Sequence, residues 1–188
     1  MISDPRPAAA LALLLCACSP GPERRPLLAS PGLPAPELRL KELIGGPPPE
    51  LRGWRDLGGR AAVLHFWAPR CAGSPAEFDR LDALASLFAG RGLAFVHITD
   101  ADRDAAVRAL AGRKVKGLVA PGAPPELLTA FRVYDLPCSV LVGSSAEVFS
   151  FAGPGDVTEG TLKALLAGAP PPGGGAGPEA CAAPEGEV

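Results

Sequence analysis

Apolar residues along this chain fall into short runs of two kinds. Residues 61–67, AAVLHFW, are almost wholly apolar and end just before Pro69. That pattern predicts a strand buried on both faces. In 75–90, Phe78, Leu81, Leu84, Leu87 and Phe88 recur at helical spacing, and Gly90 is a natural stop. Residues 93–99, LAFVHIT, predict a second buried strand, 102–111 a short helix, 115–120 a third strand, and 124–131 a helix with proline in its first turn. Cys138–Val142 is a further apolar strand, Ser144 to Glu147 a hairpin turn, and Val148–Ala152 a last, antiparallel strand. Gly153-Pro154-Gly155 breaks the pattern, and a closing helix starts at Thr158. Strands alternating with helices predict one α/β domain, its mostly parallel sheet covered on both faces.

The two ends read differently. Ala8–Leu15 is too short an apolar run to span a bilayer, and it leads into Leu15-Cys16-Ala17-Cys18. This resembles a bacterial lipobox, in which Cys18 becomes a lipidated N-terminus; Cys16 is the poorer candidate because bulky Leu15 precedes it. A plain secretory signal is the alternative. Residues 1–18 are thus expected to be a signal peptide and 19–36 a proline-rich, disordered tether. The domain is expected over 37–168, opening with a strand in ELRLKEL and a turn in IGGPPP. Trp54 is assigned to packing. From Ala169 to Val188 the Gly/Pro/Ala-rich tail is expected to be disordered, with Cys181 incidental. A formal charge of −2 gives no signal for binding nucleic acid.

Residues 63–74, VLHFWAPRCAGS, resemble the thioredoxin-superfamily signature, an apolar strand followed by F-W-A-x-W-C-x-x-C. A second landmark is Arg132 to Gly143, RVYDLPCSVLVG, where members of that superfamily carry a cis proline facing the redox cysteine; here it would be Pro137. The element order is similar to that of TlpA/ResA-type envelope proteins. The resemblance covers roughly 37–168. It implies a three-layer α/β sandwich, a thiol-disulfide oxidoreductase, and a protein or small-molecule thiol or disulfide as substrate. No cofactor is implied. With the lipobox, it places the protein on a bacterial envelope membrane through its lipid, facing the periplasm or exterior.

The departures decide the chemistry. Arg70 replaces the tryptophan before the first cysteine, and Ser74 replaces the second cysteine. A helix N-terminus favours thiolate over thiol, and Arg70 beside Cys71 adds positive charge. Ser74 cannot resolve a mixed disulfide, because an alkoxide is too poor a nucleophile for sulfur near neutrality. Monothiol chemistry through Cys71 is what survives. Ser74-Pro75-Ala76-Glu77 also reads as a capping box, with serine present to start the helix. Cys138, next to Pro137, offers an alternative partner for Cys71; its other reading is a small buried hydrophobe. Trp67 belongs to the retained signature. His65 stands where thioredoxins often hold a buried aspartate, so it is either a proton relay or structural. His97 is assigned to packing, and Asp100, Asp102 and Asp104 to a helix start. No metal-ligand spacing is present. Two functions remain: a membrane-tethered thiol oxidoreductase, or a redox-inactive binding module using the cis-proline groove.

Overall fold

The computed structural model describes residues 28–181. The fold is built on strand β1 (Ala61–Phe66), every residue of which is buried. Parallel to it runs β2 (Leu93–Ile98), and beyond that β3 (Leu118–Ala120); on its other side lie β4 (Cys138–Val142) and then β5 (Val148–Ala152), in the order β3-β2-β1-β4-β5. Only β4 runs against the others. Both of its pairings are therefore antiparallel, and the sheet is half antiparallel by pairing.

The twofold alternation of β1 divides the core. Ala62, Leu64 and Phe66 face the side covered by helix α3 (Pro125–Ala130) and the N-terminal segment, packing with Leu127, Phe131, Leu38 and Leu51. Ala61 and Val63 face α1 (Ser74–Leu87) and α4 (Glu159–Ala167), meeting Leu81, Phe88, Leu162 and Leu165. Trp67 continues that face and packs with Phe78 of α1 and Ala106 of α2 (Arg103–Ala109). Asp102 caps α2 by accepting from the Ala105 amide at 2.7 Å. Along α1, Phe78, Leu81 and Phe88 are buried whereas Leu87 is 45% exposed. Nine residues at about 100° each place Leu87 opposite Phe78, so it falls outside the buried stripe.

Several expectations are corrected. ELRLKEL alternates at first, with Leu38 and Leu40 buried, but Leu43 is buried out of phase, and the segment makes only isolated bridges, Leu40 to Leu51 and, just beyond, Ile44 to Val119. Prolines 47 to 49 lack the N–H groups a longer ladder needs. Trp54 packs as assigned, edge-on to Phe131, and donates to the Pro36 carbonyl at 2.9 Å. Residues 28–36, placed in the tether, lie against the body: Ala29 is fully buried, and the Ala35 amide donates to Ala146 in the β4–β5 turn. The start of the tail is also folded. It forms short 3-10 turns at Pro172–Gly174 and Pro178–Cys181, bridges Phe151 through Ala176, and ends in a disulfide between Cys181 and Cys138. Cys16 and Cys18 lie outside the described residues, as does the apolar run before them. No helix among the described residues is long and apolar enough to cross a membrane.

Candidate active site at Cys71

At the C-terminal end of β1 the chain makes two successive turns, closed by Cys71 N–H to Ala68 O at 3.0 Å and Ser74 N–H to Cys71 O at 3.1 Å. These turns deliver Cys71 to the entrance of α1. Its thiol is free, partly exposed, and donates to the carbonyl oxygen of Leu136 at 3.0 Å. The Leu136–Pro137 peptide bond is cis. Gly73 lies over the Pro137 ring, so close that a Cβ there would stand 3.5 Å from the proline Cδ. Cys71 thus meets the loop before β4, 65 residues along the chain. Ala68, Arg70, Cys71, Tyr134, Asp135 and Leu136 line a cavity of about 270 Å³ at this point. Tyr134 is 63% exposed at its rim.

Ser74 has a different role from the predicted one. It is the first residue of α1, and Gly73 occupies the cap position with no side-chain capping bond. The buried Ser74 hydroxyl donates to the Ala68 carbonyl at 3.2 Å, fastening the helix start to the end of β1. Glu77 does not return to the cap. It is buried, forms a two-point ion pair with Arg80, and accepts from the Gly155 amide at 3.1 Å. Arg80 in turn donates to Val157 O, so the pair ties α1 to the loop before α4. Sequence reasoning missed this pair; the i,i+3 spacing of opposite charges was its one signal. Arg70 points to Asp100, 3.3 Å away, and its side chain is 71% exposed.

Cys138 cannot serve Cys71 in this structure. It is opposite Phe66 in the β1–β4 register, and its side chain belongs to the core face with Phe66, Phe131 and Cys181. Helix α1, which carries Cys71 at its entrance, packs on the other face. Side-chain alternation along β4 turns the Cys138 sulfur into that core face, where it bonds to Cys181, whereas the Cys71 sulfur stands beyond the end of β1 on Leu136 O.

His65 and His97 are register partners on β1 and β2, both fully buried. Their Nδ1 atoms are 3.0 Å apart, and His97 Nε2 is 3.1 Å from Lys116 O. A carbonyl can only accept, so His97 carries its proton on Nε2 and His65 donates from Nδ1. This leaves His65 Nε2 as a bare acceptor; it and Trp67 Nε1 have no protein partner among the described residues. Burial lowers His97 to about 4; burial and then the neighbouring His97 hold His65 well below its ordinary value. Both rings are neutral near pH 7. The hydrogen bond and ring pairs of His65 are made with His97 and Phe78, while the Cys71 thiol bonds to Leu136 O.

A cysteine at the entrance of the first core helix, opposite a cis proline at the mouth of β4, in a sheet of this order, defines a thioredoxin-like fold. Solved structures agree. A thioredoxin-family thiol:disulfide interchange protein from Chlorobium tepidum is 21% identical, with a TM-score of 0.59 over 77% of this chain and 97% of that one. The thioredoxin domain of a thiol-disulfide oxidoreductase from Bacteroides vulgatus is 18% identical, with a TM-score of 0.63 over 74% and 99%. A secreted disulfide oxidoreductase from Mycobacterium tuberculosis, described as homologous to E. coli DsbE, is 21% identical, with a TM-score of 0.55 over 70% and 96%. No family model matches the sequence, and no curated protein matches it.

Proposed function

We propose that this protein is a thiol-disulfide oxidoreductase of the cell envelope that works through the single thiol of Cys71. The observation that carries the reading is the placement of a free, partly exposed cysteine on the carbonyl that precedes Pro137. Cys71, as thiolate, attacks one sulfur of a substrate disulfide; a Cys71–substrate disulfide forms and the other half leaves as thiolate. An external thiol then attacks the mixed disulfide, displaces Cys71 and leaves joined to the substrate. Electrons are exchanged between the two partners, and Cys71 returns unchanged. Neither Ser74 nor Cys138 takes part, since one holds Ala68 and the other is bonded to Cys181. Substrates are proteins or small molecules bearing thiols or disulfides.

The envelope location rests on two supports. Disulfides persist in oxidising compartments, which suits the Cys138–Cys181 bond. The Leu15-to-Cys18 segment provides the lipid anchor at Cys18. The test is to incubate the protein with oxidised glutathione and read the intact mass. A single glutathione adduct on Cys71, removed by added thiol and absent in Cys71→Ser, is expected. A wild-type protein with no adduct at Cys71 would leave only the binding-module reading.

A further inference from the structure

The Cys138–Cys181 disulfide holds more than the tail. The carbonyl of Cys181 accepts the amides of both Tyr134 and Asp135, each at 2.8 Å. Its sulfur is joined to Cys138, whose Cα is 5.4 Å away. One tail residue therefore grips the segment 134–138 at both ends. Between the two grips lies Leu136, whose carbonyl receives the Cys71 thiol. Tyr134, Asp135 and Leu136 line the same cavity as Cys71. Cys138 is already fixed by its place in β4, opposite Phe66. What the disulfide adds is the hold on Cys181, and through it the hold on the two amides.

We propose that the Cys138–Cys181 disulfide is a redox-operated clasp whose reduction by a dithiol loosens the 134–136 backbone and so changes the reactivity of Cys71. Cys138 and Cys181 are positioning residues for that thiol. The tail is suited to release: among the described residues, its hold on the sheet apart from the clasp is Phe151 N–H to Ala176 O at 2.9 Å and the packing of Ala180, and its prolines and glycines offer few donors or side chains. Cys181 is fully buried, so the dithiol acts when the tail lifts. One thiolate of the reductant attacks a sulfur of the pair, forming a mixed disulfide and freeing the other cysteine. The second thiol then displaces the remaining cysteine, and the reductant leaves as its own disulfide. Two electrons and two protons end on Cys138 and Cys181; a disulfide oxidant reverses the step. As control of thiol exchange the clasp rests on the function proposed above, whereas its coupling to Cys71 is measured without that function.

The experiment compares the oxidised full chain, the chain reduced with dithiothreitol, and a Cys138→Ala/Cys181→Ala variant. Amide exchange and the rate of Cys71 alkylation by iodoacetamide are read by site. Loss of the clasp is expected to reduce protection at Tyr134 and Asp135 by about tenfold more than at Val63 and Leu64. Cys71 alkylation is expected to change by about threefold or more. Equal losses at all four amides would make the disulfide a staple of the whole domain and overturn the clasp. An unchanged Cys71 rate would overturn it too. If the variant does not fold, the reduced wild-type chain gives both readings. A Cys71 that responds to the clasp yet takes no glutathione would sink the proposed activity and leave the clasp standing.

Discussion

The Nδ1 atoms of His65 and His97 face each other at 3.0 Å across the register of two parallel central strands. A neutral imidazole pair can share one proton there; a doubly protonated pair cannot. Lys116 O fixes which ring donates, because His97 Nε2 must give its hydrogen to that carbonyl. The pair is thus a polar joint inside an otherwise apolar layer with Phe78 and Trp67.

Acid should open this joint. His97 is lowered from 6.5 to about 4 in the folded chain, and His65 lies well below its ordinary value. At pH 7 both states are neutral, so the full stability is present. As pH falls below about 6.5 the unfolded chain takes up protons that the folded one refuses, and stability declines down to about 4. A lowering of that size makes His97 alone account for roughly 3 kcal/mol. Urea unfolding midpoints should therefore fall between pH 6.5 and 4. The slope should flatten in a His65→Leu/His97→Leu variant. Equal slopes in the two proteins would remove the histidines as its cause.

Ser74→Ala should leave the chemistry intact. The hydroxyl bonds to Ala68 O, which also accepts the Cys71 amide, so the carbonyl keeps a partner after the change. A loss of about 1 kcal/mol is expected, the net worth of one hydrogen bond. Glutathione uptake at Cys71 should persist at a similar rate. A Ser74→Ala protein that folds but no longer takes up glutathione would give the hydroxyl a chemical part that its bonding does not suggest.

Much of this site could be read from the residues themselves. The strand at 61–66 and the cysteine after it were legible from a nearly unbroken apolar run that stops at Pro69, and the cis bond at Pro137 from the resemblance of its surroundings to the thioredoxin landmark. Pairing of sulfurs was not. Cys138 and Cys181 are separated by 43 residues, and nothing local in a Gly/Pro-rich tail says where it returns. Ser74-Pro75-Ala76-Glu77 has the pattern of a capping box, yet tertiary partners outbid it: Ala68 for the serine, and Arg80 with Gly155 for the glutamate. ELRLKEL alternated only as far as Leu40 and made no strand, since a ladder also needs a partner with amides to give.

Glu77 should matter to stability more than its place in a helix suggests. It is buried, pairs with Arg80 at 2.6 Å, and accepts from Gly155 N–H. Glu77→Ala strands a half-buried guanidinium and an amide, and is expected to cost about 3 kcal/mol. Glu77→Gln keeps an acceptor for Gly155 and should cost less, about 1 to 2 kcal/mol. Denaturant midpoints of the two variants check the order. A Glu77→Ala loss below about 0.5 kcal/mol would class the pair with surface ion pairs.

Two glycines should respond in opposite ways to alanine. Gly117 has φ +110°, and a Cβ on it would lie 2.5 Å from Phe95 O and 2.9 Å from the Phe95 Cβ. Both the backbone conformation and the contact with β2 forbid the side chain, so Gly117→Ala should cost upwards of about 2 kcal/mol. Gly73 has φ −74° in the right-handed region, and its Cβ would touch Pro137 at an ordinary 3.5 Å. Alanine there restricts the unfolded chain at little cost to the folded one, so stability should hold or rise by up to about 1 kcal/mol. Thermal melts of the two variants give the comparison. If Gly73→Ala were the more damaging, the Cys71 turn and the proline would have to lie closer than the structure places them.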